Sequence, residues 1–197
     1  MAAAQLHKED PSPRIPENKE KMKELILYIS DKSMADEKFG SIKLNKLLFY
    51  SDFLAYLNFG KPITGMEYMR LDQGPAPKKF LPIAKELQKE NALEIVEREY
   101  HGHIQKRPIA RRPAMLELFT AREIALVDEV IGKLRGLNAH DVSELSHRFI
   151  GWKLADDGEV IPYSVAHIEI REPSPKAIAF GKELLRQVAS QKSAVPH

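Results

Sequence analysis

The stretch from Ser41 to Phe80, SIKLNKLLFYSDFLAYLNFGKPITGMEYMRLDQGPAPKKF, restricts the fold more than any other part of the chain. Stepped at about 100° per residue, Leu44, Leu47, Leu48 and Leu54 share one broad helical face. Tyr50, Phe53 and Leu57 fall behind that face, and Phe49 and Tyr56 form a further stripe. Polar residues are confined to narrow strips, Asn45 with Asp52 and Ser51 with Asn58. A surface helix carries a wide polar face, so one that is apolar nearly all round is a central helix packed on several sides. At about 16 residues, interrupted by Lys, Asn and Asp, it is too short to span a membrane.

Turn chemistry frames this helix. Ser41 is placed to cap its start. Gly60 suits the left-handed position after its end, and Pro62 cannot continue it. Thr64-Gly65 is a second breaker, Glu67–Leu71 reads as a short strand, and Gln73-Gly74-Pro75 is a turn. Ala76-Pro77 then opens a helix expected to run to Asn91, with Phe80, Ile83, Ala84 and Leu87 inward and Pro82 near its start.

The flanking chain is read the same way. Met1–Asn18 is polar and carries Pro11, Pro13 and Pro16, as a disordered arm would. Lys19–Met34 is a first helix with Met22, Leu25, Ile26, Ile29 and Met34 inward and Lys and Glu outward. Leu93–Tyr100 and His103–Ile109, joined by His101-Gly102, form a β-hairpin. Met115–Phe119 reads as a third strand or an extended crossing. Thr120 with Glu123 makes a capping box for a helix to about Arg135. Asn138 caps a helix over Ala139–Phe149, with Val142, Leu145 and Phe149 inward. Trp152–Ala155 is one more helical turn, and Ile161-Pro162-Tyr163 is extended. Pro175–Ser190 is a last helix. The result is one predominantly helical α+β domain over residues 19–190, with a small antiparallel hairpin and a loose tail at 191–197. The order helix, helix, short strand, helix, hairpin is similar to that of a winged helix.

KLNKLLFYSDF, GKPITG and YMRLDQGPAPKKF, in that order, resemble the Panacea domain, also called the SocA-like antitoxin domain. That family shows a K-L-x-K-L-L-[YF]-[YF] helix, a G-x-P-[IL] turn and a [YQ]-G-P-x-P turn. The matching positions are Lys43, Leu44, Lys46, Leu47 and Tyr50, then Gly60 and Pro62, then Gly74, Pro75 and Pro77. Downstream, the family's L-S-H, W-x-x-A and G-x-x-I-P-Y motifs fall on His147, on Trp152, and on Gly158, Pro162 and Tyr163. These residues read as mainly structural: glycines and prolines at turns, apolar side chains in the core.

Composition excludes several chemistries. The 197 residues are 43% apolar, enough for a real core, and carry a formal net charge of only +2. There is no cysteine, so disulfides, thiolate metal sites and a cysteine nucleophile are excluded. The N-terminus lacks the pattern of a signal peptide, and a soluble, cytoplasmic protein is expected. His140, Glu144 and His147 share one helix face, but a di-iron bundle needs a second Glu-x-x-His copy, so no metal and no cofactor are expected. No nucleophile elbow and no Walker or dinucleotide glycine pattern is present, so an enzyme is not expected. Lys106, Arg107, Arg111 and Arg112 form the one basic cluster, on or just after the hairpin, where a wing would contact phosphates.

The resemblance implies an antitoxin that neutralises a partner toxin by direct contact. In the SocA-like branch it implies an adaptor that delivers the toxin to a ClpXP-type protease. The family uses its domain as a scaffold for many unrelated toxins, which places specificity in the first helix, the hairpin and the tail after Tyr163. Two alternatives stand beside this: a DNA-binding regulator using the basic hairpin, and a phage or mobile-element protein of the same fold without a toxin partner.

Overall fold

In the computed structural model, residues 15–168 are described. The expected tail helix at Pro175–Ser190 and most of the N-terminal arm lie outside them. The arm's last residues are ordered. The side chain of Asn18 accepts from Lys21 N to cap α1 (Lys19–Lys32), and its own N–H donates to Thr64 O at 2.7 Å.

α2 (Ser41–Phe59) is the central helix. Leu44, Leu47, Leu48, Phe49 and Ala55 are all but inaccessible to solvent. α2 packs against α1, α4 (Ala121–Leu134), α5 (Ala139–His147), the segment Ala76–Pro77 and the 3-10 turn Tyr163–His167. Its N-cap is Gly40, one residue before the expected Ser41, and no side chain caps it. Ser41 instead donates its hydroxyl to Lys106 O at 3.1 Å, joining α2 to the hairpin. Gly60 ends the helix as expected, at φ 74° with its N–H on Tyr56 O.

After α2 the chain lays down β1 (Tyr68–Met69) and β2 (Ala76–Pro77), then α3 (Phe80–Lys89). This corrects the sequence reading. Ala76-Pro77 is not the start of a helix but an antiparallel partner of β1, pairing Tyr68 with Pro77 and Met69 with Ala76. α3 begins three residues later, which puts Pro82 in its first turn, where a missing N–H is harmless. β5 (Val160–Ile161) pairs with the other edge of β1, giving the order β2-β1-β5.

β3 (Leu93–Tyr100) and β4 (His103–Ala110) form the predicted hairpin, in register from Leu93↔Ala110 to Tyr100↔His103. Its turn places His101 and Gly102 at positive φ, as a two-residue primed turn requires. Leu116–Leu118 is a 3-10 turn rather than a strand. The Thr120–Glu123 capping box starts α4, and a second box, Asn138 with Asp141, starts α5. α5 stops at His147, short of Phe149, and Leu145 faces out. α6 (Ile150–Leu154) follows.

Two expectations for α1 fail for one reason each. Met34 is 65% exposed because the helix has already ended and the residue lies in the loop. Lys23 and Glu24 are buried, because later chain segments cover the side of α1 that its own periodicity leaves polar. The fold is a predominantly helical α+β domain with small antiparallel sheets, and no helix among the described residues is long and apolar enough to cross a membrane.

Candidate functional site

Three groups of polar side chains converge on or beside α2. The first is centred on Asp52, which is wholly buried. Its carboxylate accepts from Thr64 N at 2.7 Å, from the Thr64 hydroxyl and from the Tyr68 hydroxyl at 2.8 Å. Burial pushes the Asp52 carboxyl up despite these donors, and pushes the Tyr68 phenol far up as well. Phe49, Phe53, Tyr68, Phe149 and Tyr163 pack around this group, with Phe53 and Tyr163 centroids 4.6 Å apart. The Tyr163 hydroxyl donates to Met66 O at 2.7 Å. The group fastens α2 to the loop between Pro62 and β1.

The second group is the pair of helix lysines, Lys43 and Lys46, both buried. Lys43 Nζ lies 2.6 Å from Asp36 Oδ2 and donates to Leu137 O at 2.8 Å. Burial alone would raise the Asp36 carboxyl, but the Lys43 hydrogen bond and charge, together with backbone N–H groups at Lys38 and Gly136, outweigh it and hold Asp36 low. Among the described residues Lys46 Nζ has only Pro75 O, at 3.1 Å, and burial pushes its pKa down to about 7. Gly74 sits against it at φ 90°, where a Cβ would come 2.2 Å from Ser146 Oγ and 2.7 Å from Lys46 Cε. Only glycine fits. Ser143 Oγ donates to Gln73 O at 3.0 Å, holding the same turn against α5. Beside this contact opens a cleft of about 350 Å³, lined by Ile42, Asn45, Lys46, Leu71, Gln73 and Asp157 among others. Asn45 Oδ1 is buried without a partner among the described residues.

The third group is a stack. The Arg70 guanidinium lies 4.5 Å from the Trp152 ring centroid, and His147 stacks on the same tryptophan at 4.0 Å and 19°. Trp152 Nε1 donates to Leu71 O at 3.0 Å, and Arg70 donates to Ala155 O at 2.6 Å. His147 Nδ1 lies 3.3 Å from Glu144, while its Nε2 is buried without a partner among the described residues.

The remaining motif positions are distributed as follows. Leu44 and Leu47 lie in the core, Pro62, Pro75 and Pro77 are buried, and Tyr50 and Pro162 are half-buried. Gly158 is an exposed turn residue at φ 75°, and its N–H donates to Arg70 O. The structure therefore brings Lys46, Gly74 and Pro75 into contact, and sets His147 against Trp152. Asp52, Arg70 and Glu24 were not singled out by sequence. A lone acid or base inside an apolar or mixed stretch looks like ordinary surface until its partners, distant in sequence, are in place.

The basic cluster is engaged within the fold. Arg107 is buried and donates to the backbone carbonyls of Met34, Asp36 and Phe39, at 2.5 to 3.0 Å. Arg112 forms a two-pronged pair with Glu24 at 2.6 and 2.8 Å. Arg111 pairs with Glu94, and Lys106 lies 3.7 Å from Glu97. Arg107 holds the hairpin to the loop after α1, while the Lys106 and Arg111 side chains remain 64% and 52% exposed. Among the described residues no group of three or more acids and histidines is gathered as a metal site.

No curated protein and no solved structure matches the chain. A family profile does, over residues 44–153, from the second residue of the K-L-x-K-L-L helix to the residue after Trp152. That span takes in the Lys46–Gly74 contact and the Trp152 stack, and by it the chain belongs to the family described as Antitoxin SocA-like, Panacea domain.

Proposed function

We propose that the protein is a non-enzymatic antitoxin that neutralises a partner toxin by direct contact. The observation that carries this reading is how side chains are used. Lys43, His147, Trp152 and Tyr163 among the motif residues make internal contacts, while the segment between hairpin and α4 leaves Met115, Leu116 and Leu118 37 to 46% exposed. Ile104 on β4 is 67% exposed. Apolar side chains left clustered in water mark contact surfaces, and a rigid scaffold that presents them suits a binder better than a catalyst.

The test is co-expression with the product of a neighbouring toxin-like reading frame. Growth is restored and the two proteins co-purify as a complex. A toxin that still arrests growth while its neighbour is abundant and folded refutes the reading. Delivery of the bound toxin to a ClpXP-type protease is the finer proposal, supported by resemblance to the SocA-like branch. Its readout is toxin lifetime with and without the protease. An unchanged lifetime removes the delivery step and leaves direct neutralisation standing.

A further inference from the structure

Among the described residues three lysines are buried: Lys23, Lys43 and Lys46. Lys23 Nζ lies 2.7 Å from Glu90 and 3.3 Å from Glu86, and Lys43 Nζ lies 2.6 Å from Asp36. Lys46 is the most enclosed of the three, 1% exposed, and makes no ion pair with a described residue. An ammonium carries three protons, and among the described residues Lys46 has one acceptor, Pro75 O. A buried charge without a counter-charge is among the costliest arrangements in a protein. Its neighbour Asn45 also lines the cleft, and its side-chain Oδ1 is buried with no partner among the described residues. The two ends of a carboxamide are assigned rather than seen, and a flip turns that acceptor into a donor. The glycine at position 74 brings its backbone against the lysine where any side chain would fill the space.

We propose that this cleft is a carboxylate-binding subsite, in which Lys46 supplies the counter-charge and Asn45 a second hydrogen bond. The cleft, at about 350 Å³, has room for one acidic side chain or a short organic acid. Asp72 and Asp157 stand exposed among its lining residues and oppose an anion. Their field is screened by solvent, whereas that of Lys46 is not. The carboxylate comes either from an acidic residue of a partner protein or from a free small dicarboxylate.

The experiment is an NMR titration of the full chain at about pH 6, where an amine titrating near 7 is charged. Ionic strength is held constant. The probes are glutarate, acetyl-Ala-Glu-Ala-amide and acetyl-Ala-Gln-Ala-amide, followed at the Asn45 side-chain amide and the Gly74 N–H. Both carboxylates give saturable shifts and the glutamine peptide gives none. Tighter binding of the glutamate peptide than of glutarate assigns the carboxylate to a protein partner, and the reverse assigns it to a free acid. Lys46→Met weakens binding about tenfold or more, as loss of a charge-assisted bond should. Asn45→Ala, at a half-buried position, weakens it about threefold or more. Asp157→Asn strengthens it about twofold by removing an opposing exposed charge. Absence of a saturable shift with either carboxylate, equal binding of the glutamine peptide, or unchanged binding by folded Lys46→Met or Asn45→Ala would overturn the proposal.

Discussion

Asp52 and Lys46 lie less than two helical turns apart on α2, and burial acts on them in opposite chemical directions. Asp52 has three donors on it, so removing it strands the Thr64 N–H, the Thr64 hydroxyl and the Tyr68 hydroxyl inside the core. Asp52→Ala is expected to cost about 3 kcal/mol or more, read as a lower urea midpoint at unchanged slope. Lys46 gives a pH signature instead. Its pKa is near 7 when folded, against about 10.4 in an unfolded chain. Between those values the unfolded state binds more protons, so the lysine makes stability rise with pH across that window. Below about 7 it is charged in both states and its full penalty is felt. In Lys46→Met this contribution disappears, so the stability difference between mutant and wild type narrows from about pH 7 to pH 10. A difference that stays constant over that range contradicts the buried, unpaired ammonium. Gly74→Ala is expected to destabilise by about 2–4 kcal/mol, since strain at positive φ adds to a clash. Its readout is the thermal midpoint.

Elements with a period were legible in the sequence, and those without one were not. α2 announced itself through apolar residues on nearly every side, the hairpin through alternation around His101-Gly102, and α4 through its capping box. β1, β2 and β5 are two residues each, too short for any alternation to register. Ala76-Pro77 looked like a helix start because proline is welcome there, but pairing with Tyr68-Met69 decided otherwise. The burial of Glu24 was equally illegible, because it depends on Arg112, which arrives after the hairpin. The site was legible as a set of motif positions. That Lys46 has no counter-charge among the described residues appears only when the turn at Gly74 folds over it. At this scale the α4 capping box offers a clean check. Thr120→Ala is expected to cost about 1 kcal/mol and to raise amide exchange in the first turn of α4.

Across the whole molecule, ion pairs join segments far apart in sequence. Arg112 with Glu24 holds the chain after the hairpin to α1, and Lys21 with Glu123 holds α1 to α4. Burial raises the Glu24 carboxyl, but the hydrogen bonds from Arg112 and from Met115 N outweigh it, and the net pKa is lowered. Glu24 therefore adds stability above the ordinary carboxylate pKa and loses it as pH falls through the lowered folded value. Arg112→Ala leaves that carboxylate enclosed without its partner and is expected to cost about 3 kcal/mol near neutral pH. The deficit shrinks in acid as Glu24 takes up a proton, and urea melts at pH 7 and about pH 4 check the trend. A deficit that grows in acid would contradict the pairing.

The small sheet has a temporal meaning. β1 is flanked by β2, a few residues downstream, and by β5, which arrives some ninety residues later. The profile match stops at residue 153, before β5 is reached. During synthesis α2 and the β1–β2 pair can form early, but one edge of β1 stays open until Val160-Ile161 leaves the ribosome. Closure of a loop that long is a late event. A nascent chain halted at Gly158 therefore carries an unpaired strand edge and an uncovered aromatic cluster where Tyr163 would sit. It should be cut by protease much faster than one released after Ile168, so the molecule matures only when its last family motif, from Gly158 to Tyr163, has left the ribosome.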